Sequence, residues 1–153
     1  MWWLMRIRDF MTKNVVSVDQ DASVQLAART MNMKRIGCLV TVDKDAVVGI
    51  LTERDLLVRV VETCKNPKTT KVSEVMTRSI VFGNPGMHLV EATRLMFQNR
   101  IKKLPILEEN RLVGLVTLTD VARATSVDKK TANLIEALSN MHMISESQEQ
   151  ISI

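Results

Sequence analysis

Apolar and polar positions along this 153-residue chain follow two alternating periods. The apolar run Val15–Val18 ends at Asp19-Gln20-Asp21, which reads as a short strand entering a turn. Val24, Ala27, Ala28 and Met31 then recur at helical spacing, so Ser23–Lys34 is expected to be a helix. Gly37–Val42 and Val47–Leu51 are β-rich runs on either side of Asp43-Lys44-Asp45-Ala46, the pattern of a hairpin. A second helix is expected to start near Thr52. The same order returns later in the chain. Ile80–Phe82 leads into the turn Gly83-Asn84-Pro85-Gly86. Leu89, Ala92, Leu95 and Met96 mark a helix over His88–Asn99. Leu104–Leu107 and Leu112–Val116 flank Glu108-Glu109-Asn110-Arg111, and a helix follows from Thr117.

The recurrence is an internal repeat at a constant offset of 65 residues, ungapped from Met11 to Leu57. Thirteen of these 47 positions are identical, among them Met11/Met76, Thr12/Thr77, Arg35/Arg100, Gly49/Gly114, Thr52/Thr117 and Asp55/Asp120. The expected fold is α+β: two β-α-β-β-α repeats packed sheet to sheet with pseudo-twofold symmetry, because one sheet with two helices cannot bury both of its faces. The first repeat is placed at 8–65 and the second at 73–130. The polar segment Thr63–Thr70, with Pro67, reads as the linker. Residues 131–153 are expected to hold a further helix, Thr131–Met143, and a polar tail.

Composition narrows the class. Apolar residues make up 46% of the chain, enough for a core without disulfides or metal. The formal charge of +4 suits phosphate ligands, but no block of like charges marks a nucleic-acid surface. Cys38 and Cys64 form no CxxC, and no Cys/His cluster has zinc spacing, so no metal site is expected. The cysteine usage and the lack of a secretory pattern place the chain in the cytoplasm. Met1-Trp2-Trp3-Leu4-Met5 is apolar but far too short to span a membrane, and no later run approaches that length.

Each hairpin passes into the same phrase: Gly49-Ile50-Leu51-Thr52-Glu53-Arg54-Asp55 and Gly114-Leu115-Val116-Thr117-Leu118-Thr119-Asp120. Thr-x-x-Asp at a helix start is a capping-box variant, and that alone explains it. The same geometry serves a ligand. Backbone N–H groups at a strand-to-helix junction attract a phosphate. A carboxylate accepts both hydroxyls of a ribose. Gly49 and Gly114 permit a close backbone approach or a bulge.

The phrase Gly-apolar-apolar-Thr-x-x-Asp, occurring twice after a strand–helix–hairpin pattern, resembles the cystathionine-β-synthase (CBS) domain. The Met-Thr opening of each copy and Arg-Ile-Lys-Lys-Leu-Pro-Ile at 100–106 also fit. The resemblance covers residues 8–125. It implies a non-catalytic regulatory module, a Bateman-type tandem pair, that takes AMP, ADP, ATP or S-adenosylmethionine as a regulatory ligand in inter-repeat clefts. No cofactor is required. Asp55 and Asp120 would each hold a ribose, with Thr52 and Thr117 beside them. Val15, Val16, Ile80 and Val81 would wall the adenine, together with Ile36, Gly37, Cys38, Ile101, Lys102, Lys103, Leu104 and Pro105. Lys34, Arg35, Arg54, Arg100, Lys102 and Lys103 are the candidate phosphate cations.

Val40 replaces Pro105, and Gly37-Cys38 replaces Lys102-Lys103, so the two clefts are not equivalent. Ligand is expected first at the cleft of Asp120. His88 opens a helix and is expected to be exposed. There is no GxxxxGK, GxGxxG, HExxH or GxSxG, and an enzyme is not expected. A homodimer signalling to a protein effector is expected. The alternatives are a nucleic-acid-associated regulator or an oligomerisation scaffold. With three Phe, two Trp and no Tyr, stacking on bases is poorly served.

Overall fold

The computed structural model describes residues 5–125 and, beyond them, Asn133 and Ala137, which are helical and exposed. Trp2, Trp3 and the rest of the helix expected over 131–143 lie outside the described residues.

The first repeat contains β1 (Ser17–Asp19), α1 (Val24–Lys34), β2 (Cys38–Asp43), β3 (Ala46–Thr52) and α2 (Glu53–Leu56), which runs on as a π-helical turn over Leu57–Val61. Between the repeats lies α3 (Val72–Val75). The second repeat contains α4 (Leu89–Gln98), β4 (Lys103–Glu108), β5 (Arg111–Thr117) and α5 (Leu118–Thr125). In the three-stranded sheet, β1 runs parallel to β2 and β2 antiparallel to β3; β4 and β5 form a two-stranded sheet. The fold class is α+β.

Local chemistry sets the element ends. Ser23 caps α1, its Oγ accepting from Leu26 N at 3.2 Å. Val24 N and Gln25 N donate to Thr70 O and Pro67 O at 2.9 and 3.0 Å, which satisfies the other first-turn donors. Arg35, in the left-handed region at φ 54°, ends the helix, and Ile36 N donates back to Met31 O at 3.0 Å. This is a Schellman-type stop with arginine where glycine is usual. The second repeat copies it: Arg100 has φ 52°, and Ile101 N donates to Met96 O at 2.9 Å. Both hairpins turn through two residues of positive φ, Lys44-Asp45 and Glu109-Asn110, as a type I′ loop demands.

Two strand expectations are corrected. β1 is Ser17–Asp19 rather than Val15–Val18. Ile80–Phe82 forms no strand; only Gly83 bridges β4, at Ile106. The reason is a pair of prolines, one acting on each side of that bridge. In the first repeat Gln20 N donates to Val42 O at 2.9 Å. Its counterpart, Pro85, has no N–H to donate, and neither has Pro105, the counterpart of Val40, whose N–H donates to Val16 O at 3.3 Å in the first repeat; the ladder is left with one bridge.

The segment Thr63–Thr70 is also more than a spacer. Thr70 is buried, and the segment's carbonyls cap α1.

By its contacts the described chain divides into two compact units: one of residues 14–81 and 107–113, the other of 5–13, 82–106 and 114–125. The units exchange the opening segments of the sequence repeats. Val72 N donates to Ala22 O, Ser73 N to Gln20 O and Thr77 N to Ile50 O, each at 2.9 Å. Sixty-five residues earlier, Ile7 N donates to Met87 O at 2.9 Å, Arg8 N to Pro85 O at 3.2 Å and Thr12 N to Leu115 O at 3.0 Å. The segment that opens each repeat thus closes on the other repeat's strand and helix start. Repeat symmetry extends back to Ile7, which begins a 3-10 turn (Ile7–Asp9) opposite α3 in the pattern.

The cores match position for position. Val24, Ala27, Met31, Leu39, Leu51 and Val72 are buried in one unit, and Leu89, Ala92, Met96, Leu104, Val116 and Ile7 in the other. Each of the larger side chains contributes about 1.5–3 kcal/mol on full burial. Among the described residues, no helix is long and apolar enough to cross a membrane.

Candidate ligand-binding sites

Thr52 ends β3 in extended backbone and becomes the N-cap of α2. Its N–H and its hydroxyl donate to Asp55 Oδ2 at 2.9 and 3.0 Å, and Asp55 N donates to Thr52 Oγ1 at 3.2 Å. The second repeat reproduces this box: Thr117 N and Oγ1 lie 2.8 and 2.9 Å from Asp120 Oδ2, and Asp120 N lies 3.2 Å from Thr117 Oγ1. The capping function expected of Thr-x-x-Asp is therefore real in both copies. It occupies only one oxygen of each carboxylate. Asp55 Oδ1 lies 3.6 Å from Arg59 NH1, and Asp120 Oδ1 lies 3.8 Å from Arg123 NH1. Each carboxyl side chain keeps 12% of its surface exposed, and the cap leaves its Oδ1 without a hydrogen-bond donor from the threonine.

The backbone donors are less available than the sequence suggested. Glu53 N donates to Gly37 O and Leu118 N to Lys102 O, each at 3.1 Å. With Asp55 N and Asp120 N also taken, a phosphate at either junction must rely chiefly on side-chain cations.

In the first repeat the candidates converge. Strand pairing sets Cys38 opposite Thr52, and Val40 N donates to Val16 O at 3.3 Å. Val15, Val16, Ile36 and Gly37 are half-buried, and Cys38 is buried. Lys34, Arg35 and Arg54 are exposed. A groove of about 400 Å³ has the apolar side chains of Met31, Ile36 and Leu56 in its lining together with Arg35, Gly37 and Glu53. Of the first-repeat candidates it takes in Arg35, Ile36 and Gly37, while Thr52 and Asp55 lie outside its lining.

In the second repeat, Arg100 and Lys102 are exposed, Ile101 and Lys103 half-buried, and Leu104 and Pro105 buried. Ile80 and Val81 are half-buried and cluster with the other compact unit, that of residues 14–81. His88 is not the exposed residue expected. It is half-buried at the start of α4, its N–H donating to Glu91 Oε2 at 3.2 Å.

Three relevant residues escaped the sequence reading: Arg59, Glu53 and Leu118. None is an identity between the repeats, so the repeat did not single them out. The four-residue spacing of Asp55 and Arg59 was the available signal for the first. No group of three metal-ligating side chains forms among the described residues.

A duplicated α+β unit with the same capped strand-to-helix junction in each copy defines a tandem regulatory module. The CBS domain model matches this chain twice, at residues 7–62 and 72–127, and the chain belongs to that family. It is 39% identical over 116 residues to the CBS domain-containing protein YhcV of Bacillus subtilis (strain 168), spanning 76% of this chain and 82% of that protein. The crystal structure of an uncharacterized conserved protein from Pyrococcus horikoshii is similar at a TM-score of 0.74 and 35% identity, covering 82% of this chain and 95% of that one. The CBS domain pair of protein MJ0100, in complex with 5′-methylthioadenosine and S-adenosyl-L-methionine, shares the fold at a TM-score of 0.74 and 23% identity, covering 82% and 99%.

Proposed function

We propose that this chain is a non-catalytic regulatory module that binds an adenine nucleotide or S-adenosylmethionine and passes the binding state to a protein partner. The observation that carries this reading is the split use of each Thr-x-x-Asp carboxylate. Oδ2 is committed to the cap, while Oδ1 lies beside an arginine and is the oxygen that would accept a ribose hydroxyl. The left-handed arginines add support. A non-glycine residue at such a position costs about 1–2 kcal/mol, and strain of this kind collects at functional sites. Here it falls on Arg35 and Arg100, both exposed, just before the second strand of each repeat. Binding of adenosyl compounds by the MJ0100 pair, which has the same fold, is in keeping with the reading. AMP is expected first at the second repeat, where Arg100, Lys102 and Lys103 supply cations.

The test is a thermal-shift panel of AMP, ADP, ATP, S-adenosylmethionine and NAD on the full chain. A ligand at 100 times its Kd adds about 2.7 kcal/mol to stability, and Asp120→Ala should abolish that gain for AMP. No shift with any compound would leave a scaffold role instead.

Self-association belongs to the same proposal. Leu26, Met33, Leu57 and Val61 are exposed on α1 and the π-helical turn, Met33 at 77%. The counterparts of the first three are Glu91, Gln98 and Ala122. Sedimentation equilibrium on wild type and Met33→Glu would show a dimer that the substitution weakens. We place the module in the cytoplasm.

A further inference from the structure

The two repeats share one backbone frame at the cleft entry but carry opposite charges on it. The hydrogen bond from Glu53 N to Gly37 O is matched 65 residues on by the one from Leu118 N to Lys102 O, both 3.1 Å. The frame is thus the same, and the side chains differ as a pair. In the first repeat a carboxylate lies over a bare glycine: a Cβ built on Gly37 would meet Glu53 Oε2 at 3.1 Å. In the second repeat the acid is Leu118, and the glycine is Lys102, an exposed lysine followed by Lys103. The acidic side chain and the small residue occur together, and so do the lysine and the neutral side chain.

The first-repeat groove has a chemistry that fits this charge. Its floor of Met31, Ile36 and Leu56 is apolar. Its edge carries the Glu53 carboxylate and the Arg35 guanidinium, neither with a side-chain partner among the described residues. A carboxylate at the entry repels a phosphate chain. A guanidinium and a carboxylate flanking an apolar floor are complementary to an α-amino acid on a short hydrocarbon stem.

We infer that the two repeats select adenosyl ligands of opposite charge. The first repeat takes a ligand with a cationic or zwitterionic amino-acid tail, through Glu53 and Arg35. The second takes a phosphorylated one, through Lys102 and Lys103. Glu53 and Lys102 are then the specificity-determining residues. The inference rests on the proposed adenosyl-binding function and adds the division of ligands between sites.

Calorimetric titration of the full chain with AMP and with S-adenosylmethionine, each in the presence and absence of the other, tests it. Wild type is expected to bind both without competition. Glu53→Gln should weaken S-adenosylmethionine about fivefold, the ceiling for one partly exposed ion pair, and leave AMP unchanged. Lys102→Ala should do the reverse. Gly37→Lys with Glu53→Leu, which installs the second-repeat pair in the first, should raise the AMP stoichiometry from one to two per chain. Glu53 is exposed, and unchanged thermal unfolding of Glu53→Gln without ligand would confirm an intact fold. Competition between the two ligands for one site, or an unchanged AMP to S-adenosylmethionine preference in Glu53→Gln, would overturn the inference while leaving adenosyl binding in place. No binding of either compound would overturn both.

Discussion

Adding one methyl group at Gly49 should be costly, and the cost should depend on one side chain. A Cβ at this position would lie 2.6 Å from Met76 Sδ, 3.0 Å from Met76 Cγ and 3.0 Å from the Thr77 carbonyl oxygen. Ordinary carbon contacts settle at about 3.5–4.0 Å, so the segment must retreat by about half an ångström or more. It is poorly placed to do so. Met76 is 5% exposed, and Thr77 exchanges two hydrogen bonds with Ile50, at 2.9 and 3.0 Å. Overpacking of this kind costs about 1–3 kcal/mol, of which about 0.5–1 kcal/mol is returned by removing a glycine from a strand. A net loss of about 1–2 kcal/mol is expected for Gly49→Ala.

The second repeat has the same arrangement. A Cβ on Gly114 would meet Met11 Sδ and Cγ and lie 3.2 Å from the Thr12 carbonyl oxygen, so Gly114→Ala should cost a similar amount. Urea unfolding measures both. The decisive experiment is a double-mutant cycle of Gly49→Ala with Met76→Ala. Shortening the methionine removes two of the three close contacts, so the alanine should cost at least 0.5 kcal/mol less in that background, roughly the least coupling a cycle distinguishes from additivity. Strict additivity, or a stabilising Gly49→Ala in wild type, would refute the view that these glycines exist to admit the opening segment of the other repeat.

Three further outcomes follow from the same geometry. Thr41 is fully buried with no partner for its Oγ1 among the described residues, so Thr41→Val should leave stability unchanged or raise it by up to about 1 kcal/mol; a loss above 1 kcal/mol by urea unfolding would reveal a hidden hydrogen bond. Arg35→Gly relieves the left-handed backbone and should gain about 0.5 kcal/mol after glycine's own entropy cost, measured by thermal unfolding without ligand; a clear loss would mean that the arginine is held by contacts and not merely tolerated. Asp120→Ala should lose about 1 kcal/mol of capping energy, whereas Asp120→Asn keeps an acceptor for Thr117 and should stay within about 0.5 kcal/mol of wild type; equal losses would place the stabilisation in the charge rather than in the hydrogen bonds.

Much of this architecture was legible because period and turn chemistry are local. Val24, Ala27 and Met31 define a buried helix face, and the two polar hairpin tips adopt the positive-φ turns that their short loops require. What escaped was decided by single donors or by contacts distant in sequence. Pro85 and Pro105 are both visible in the sequence, but their effect is to withhold the N–H groups that Gln20 and Val40 supply, and together this reduces the strand to one bridge. Helices that stop at Arg35 and Arg100 carry no glycine to announce the stop. Sequence pattern alone assigns the residues from 8 and from 73 onward to the repeats that they open. Their hydrogen bonds go to the other repeat, a fact that no local pattern encodes, although Ile7/Val72 and Asp9/Glu74 continue the 65-residue offset and could have extended it.

The site shows the same division in sharper form. Repeat identities led to Thr52, Asp55, Thr117 and Asp120, and these turn out to hold the shared scaffold: the cap that fixes each strand-to-helix junction. Capping and the proposed ligand binding are not rival explanations of that motif, because each would draw on a different oxygen of one carboxylate. The cap holds Oδ2 through two donors, and on the proposed function that restraint would keep Oδ1 in place for a ribose. A preorganised acceptor loses less entropy on binding than a free side chain would. Whatever distinguishes the two clefts must then lie at positions where the repeats differ, over Gly37 and Glu53 in one and Lys102 and Leu118 in the other. Identity between the repeats reports what the module needs twice. The differences between them report what each cleft is for.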